Sequence, residues 1–124
     1  MPLAKSVTPS GGVQPGAVLT YTVAFTNGGG SAASSLSLTD PIPTNTDFKV
    51  NSVTQALGTT GLTVAVSYSN DGGSSWTYTP VSGGGGAPAG YDRNVTKVRW
   101  AFSGNLSQVS PNNNGNVGFA TRIR

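Results

Sequence analysis

Alternation of apolar and polar residues runs through most of this chain. Across residues 17–27, Leu19, Tyr21, Val23 and Phe25 fall on one face, and Thr20, Thr22, Ala24 and Thr26 fall on the other. A period of two puts successive side chains on opposite sides of an extended backbone, so the segment reads as a strand with one buried face. The pattern recurs at Leu62, Val64, Val66 and Tyr68, at Val98, Trp100 and Phe102, and at Val117, Phe119, Thr121 and Ile123. Weaker strands are expected at 3–8, 34–39, 48–53 and 75–79. Helix formers are scarce, and 18 Gly and 8 Pro punctuate the 124 residues. Turns are expected at Pro9-Ser10-Gly11-Gly12, at Asn27-Gly28-Gly29-Gly30 and at Asp40-Pro41-Ile42-Pro43. Proline lacks a backbone donor, so the last of these cannot lie in a central strand. The run Asn112-Asn113-Asn114-Gly115 reads as a turn before the last strand. The Gly-rich tract 82–90, SGGGGAPAG, is expected to be a flexible loop.

Seven to eight short strands without helices predict a single domain over 1–124, an all-β antiparallel sandwich with Greek-key crossings. Tyr21, Phe25, Tyr68, Trp76, Trp100, Phe102 and Phe119 are the expected aromatic core.

Charge and chemistry narrow the function. The seven cations (Lys5, Lys49, Arg93, Lys97, Arg99, Arg122 and Arg124) are dispersed, giving a net charge of +3 without a basic stripe, so nucleic acid is not an expected partner. There is no His and no Cys, which removes the usual neutral-pH base, thiol nucleophiles, disulfides and thiolate zinc. The four carboxylates are all Asp, and they form no spaced acid pair and no calcium loop with Asn70. No apolar stretch is long enough to insert in a membrane, and no charged segment followed by an apolar one opens the sequence. A non-catalytic protein without cofactor or metal is expected.

Residues 69–76, SNDGGSSW, fit the spacing of an Asp-box, the small hairpin repeated in sialidase propellers. Ser69, Asp71, Gly73 and Trp76 carry the match. An Asp bonding its own backbone and a Gly at positive φ are what a tight hairpin needs, and a propeller needs several copies where this chain has one. The octet is expected to be a structural hairpin. A carbohydrate-binding or adhesive module using exposed aromatics beside it is the alternative reading, so a glycan is a candidate partner.

Several segments together resemble a known family. They are Pro15-Gly16, Leu19-Thr20-Tyr21-Thr22-Val23 with Asn27, Leu36, Leu38 and Asp40, Pro41-Ile42-Pro43 with Phe48, and the closing NVGFATRIR. This pattern is similar to a bacterial and archaeal cell-surface repeat, catalogued as domain of unknown function number eleven and also called the anthrax-type repeat. The resemblance implies an immunoglobulin-like sandwich serving as an extracellular surface or stalk module, usually in tandem, with no catalytic residues. A lone copy is then expected to join a homopolymer, as in a pilus-like filament, or to contact neighbouring surface domains. The first strand, with Leu3, Lys5 and Val7, is the candidate assembly strand. Asn94-Val95-Thr96 and Asn105-Leu106-Ser107 are candidate glycosylation sites at Asn94 and Asn105. A Lys–Asn cross-link of the kind some surface sandwiches carry would join Lys5 to Asn116, with Asp40 as the nearby acid.

Overall fold

Period-two strands bury their apolar faces by stacking two sheets, and this chain does so. The computed structural model describes residues 3–8, with backbone alone at 3 and 4, and residues 14–124. Nine strands form: β1 (Leu3–Thr8), β2 (Val18–Thr26), β3 (Ser37–Pro41), β4 (Thr46–Lys49), β5 (Thr54–Ala56), β6 (Thr63–Ser69), β7 (Tyr91–Asp92), β8 (Lys97–Ser103) and β9 (Asn114–Ile123). The larger sheet runs β1-β2-β9-β4-β7, with β5 also on β9, and the smaller runs β3-β8-β6. All ladders between strands are antiparallel. The chain changes sheet at most connections, giving an antiparallel β-sandwich.

The inner faces meet where the alternation places them. Phe25 of β2 packs on Phe102 of β8 with ring centroids 5.4 Å apart, and Phe119 of β9 lies 6.3 Å from Trp100 and 5.1 Å from Tyr21. Trp100, Phe48, Val98, Leu106 and Val117 are fully buried. Gly118 shows how tightly β9 is held in the larger sheet. A Cβ there would sit 2.5 Å from the Tyr21 carbonyl oxygen and 3.1 Å from Thr54 Oγ1, so β2 and β5 close on β9 only because it has none. Asn27 is buried at the end of β2. Its Nδ2 donates to the carbonyls of Ser31 and Leu106, both at 3.0 Å, and its Oδ1 accepts from Gly29 N at 3.1 Å.

Some boundaries differ from expectation. The expected strand 75–79 forms no ladder and meets β6 only through the single bridge Tyr68–Tyr78; at its start, Ser75 N and Oγ donate to Asp71 instead of a neighbouring strand. The short β5 and β7 lack any alternation signal. β3 extends through Asp40 and Pro41, which is tolerated because β3 is an edge strand. β9 already begins at Asn114. The turn at Pro9-Ser10-Gly11-Gly12 and the side chain of Leu3 lie outside the described residues.

The tract 82–90 is bonded along its length rather than free. Gly84 N donates to Val81 O at 3.0 Å, Ala87 N to Gly84 O at 3.2 Å and Gly90 N to Ser82 Oγ at 2.7 Å, and Arg93 N reaches Gly84 O at 2.9 Å. A Cβ on Gly84 would collide with the carboxylate of Asp92, so this glycine lets the loop fold over a buried acid.

Trp100 lies fully buried between the sheets. Trp100→Ala is therefore expected to lose about 3–5 kcal/mol in chemical denaturation followed by circular dichroism. A loss below about 1 kcal/mol would place Trp100 outside the core.

Candidate functional site

The Asp-box is a closed hydrogen-bond unit. Ser69 is buried; its Oγ donates to Asp71 Oδ1 at 2.6 Å and accepts from Asp71 N at 3.2 Å and Gly73 N at 2.8 Å. Asp71 also accepts from Ser75 N at 2.9 Å and Ser75 Oγ at 2.6 Å. Gly73 takes φ +98°, which a side chain resists. The Ser69 hydroxyl first, then the Ser75 donors, hold the Asp71 carboxyl down at about 2. Thr96 ties the turn to the sandwich by accepting from Gly72 N at 3.0 Å and donating to Ser69 O at 2.9 Å.

Trp76 is not a core residue. It is half-buried on the outer face of the smaller sheet, with the Arg99 guanidinium 4.4 Å from its ring. Arg99 alternates with the buried Val98 and Trp100, so it points outward, and the hairpin lays Trp76 over it. One ring face is thereby occupied. Among the described residues, the exposed large hydrophobics are Val18, Val81 and Val109, and no aromatic side chain is among them.

Two further acids anchor the side of the sandwich formed by β4, β6 and β7. Asp47 is fully buried and accepts from Arg93 Nε at 2.9 Å and Nη2 at 3.0 Å, and from Arg124 Nε at 2.8 Å. These bonds, Arg93 foremost, hold its carboxyl below the ordinary value despite burial. Asp92, also fully buried, accepts from Tyr78 Oη at 2.6 Å, Val81 N at 2.7 Å and Asn94 N at 2.8 Å. Sequence reasoning missed both acids, since their partners lie up to 77 positions away with no repeating spacing.

The opposite side, between β1 and β3, is built differently. Lys5 Nζ donates to Asp40 Oδ1 at 2.7 Å, linking the two sheets, and lies 5.1 Å from the centroid of the Tyr21 ring. A cleft of about 290 Å³ opens there, lined by Lys5, Val23, Leu38, Thr39, Asp40 and Trp100. Among the described residues, Trp100 Nε1 and Asp40 Oδ2 are buried without a hydrogen-bond partner. The ladders also correct the cross-link expectation. Lys5 pairs with Val23 and Val23 with Val117, so Lys5 shares the inner face, whereas Asn116 pairs with Ala24, is exposed and belongs to the outer face. Lys5 and Asn116 are not brought together.

Asn94 and Asn105 are both exposed, although Thr96 of the first motif is committed to the Asp-box. Val7 is half-buried beside the core. No group of three potential metal ligands occurs among the described residues. No protein-family model, curated protein or solved structure matches this chain.

The Asp47 clasp carries a pH dependence of known sign. A carboxyl held below its ordinary 3.8 adds stability that is fully present above that value and is lost as pH falls through the lower folded value. Thermal midpoints are expected to drop as pH is lowered from about 4. In Asp47→Asn that drop should shrink, from an already lower midpoint at pH 7; an unchanged acid profile would show that the clasp contributes nothing.

Proposed function

We propose that the chain is a non-catalytic structural module of an extracellular surface or filament assembly, self-associating through β1 and the open side of the sandwich. The observation that carries this reading is the asymmetry of the sheet edges. On one side the edges are blunted: β7 has two residues, the segment after the Asp-box bridges β6 at Tyr68–Tyr78, and the 82–90 loop bridges β7 at Gly84–Asp92. On the other, the six-residue β1 and five-residue β3 have free outer edges among the described residues, bridged by one ion pair. Unpaired edges are templates for another strand.

All four Asp side chains support the non-catalytic part, because each is engaged in a fold-stabilising contact: Asp40 with Lys5, Asp47 with two arginines, Asp71 within its turn and Asp92 under its loop. The extracellular setting rests on the resemblance of the PG–TYT–N and DPIP segments to surface repeats. Sugar binding loses its main support, since Trp76 stacks on Arg99.

Sedimentation velocity of the full chain across a concentration series should reveal assemblies larger than one chain. Removing residues 1–8, with folding checked by circular dichroism, should abolish them. A wild-type chain that stays monomeric up to its solubility limit contradicts the reading, as do assemblies that the deletion leaves unchanged in a folded protein.

A further inference from the structure

Edge association can proceed by adding a strand outside β1 or by replacing β1 with that of another copy. The details of β1 separate these modes. Its middle inward position is Lys5, where β2 presents Val23 in register. An inward charge on an edge strand opposes simple edge-to-edge addition, because the new neighbour would help bury it. The same lysine suits exchange: wherever β1 docks, Lys5 finds Asp40, whose side chain is 9% exposed.

β1 is also lightly seated. The cleft of about 290 Å³ lies against Lys5, between β1 and the Leu38–Asp40 stretch of β3. Of its side chains from Lys5 onward, only Val7 is half-buried; Lys5, Ser6 and Thr8 are exposed. The β2 ladder and the Lys5–Asp40 ion pair are the main described attachments of β1. Each is recovered when a second copy supplies the strand, so dissociation in cis is offset by the same contacts in trans. The sequence joining β1 to β2 includes Pro9, Gly11 and Gly12.

We infer that β1 exchanges between copies of this chain, so that residues 3–8 of one copy pair with β2 of the next and set their Lys5 on its Asp40. This rests on the self-association reading and specifies its mode. Reciprocal exchange closes a dimer, and one-way exchange propagates a filament.

The absence of cysteine gives a clean test. Ser6 and Thr22 are register partners on the β1–β2 ladder, and directly opposed antiparallel positions lie within disulfide reach. The Ser6→Cys and Thr22→Cys single variants are mixed at a concentration where the wild type associates, oxidised mildly and run on a non-reducing denaturing gel. Exchange predicts an interchain disulfide carrying one chain of each variant. A control mixture of Ser6→Cys with Asn116→Cys, two strands away, should give none. In the double variant Ser6→Cys/Thr22→Cys, exchange predicts dimers or a ladder of linked chains. If the double variant instead closes only within single chains while sedimentation still shows assemblies, exchange is wrong and association proceeds by another contact. Closure within single chains and no assemblies overturns both readings. Equal cross-linking in the control mixture also overturns exchange.

Discussion

Everything in this molecule depends on β8 being buried along its inner face. Val98 and Trp100 are fully enclosed and Phe102 nearly so, and these residues meet Phe25 and Phe119 from the larger sheet. β8 is also the centre of its own sheet, with β3 on one side and β6 on the other. The strand therefore sets both the spacing between sheets and the register of the smaller one. A one-residue slip would turn Lys97, Arg99 and Ala101 inward, and no described acid on the opposing inner face is placed to pair with both cations.

Without disulfides, the periphery is fastened by carboxylates. Asp47 joins β4 to Arg93, just after β7, and to Arg124, just after β9; Asp92 gathers the Gly-rich loop; Asp71 closes the Asp-box; Asp40 bridges the sheets to Lys5. Buried acceptors satisfied by several donors fix geometry strongly, because leaving any of them unpaired is costly. Three of these four groups lie on the side of β6 and β7. Among the described residues the remaining side is held by a single ion pair beside an open cleft, and this asymmetry separates a closed side from one suited to contact.

Much of the fold was legible in the sequence because alternation is a local signal. β2, β6, β8 and the later part of β9 follow from it directly, and the turn character of 69–76 follows from Asp71, Gly72 and Gly73. Trp76 was misplaced because a large aromatic in a polar context gives no sign of whether a core or an outward arginine will cover it. β5 and β7 are two or three residues long, too short for any period. The Asp47 and Asp92 clusters were invisible because their partners come together only through the tertiary fold. Of the expected cross-link, Lys5 and Asp40 do meet, as an ion pair, but the register puts Asn116 on the opposite face of the larger sheet, out of reach of Lys5.

The loosely seated β1 is the feature on which the functional reading turns, and amide hydrogen exchange reads it directly. In dilute protein the amides bonded between β1 and β2 should exchange far faster than those between β2 and β9, since the outer ladder opens without disturbing the core. Raising the protein concentration should slow exchange in the β1 ladder and leave β9 unchanged, because a strand supplied by another copy is stabilised by mass action. Protection in the β1 ladder that equals that of β9 and does not respond to concentration would contradict an exchangeable first strand.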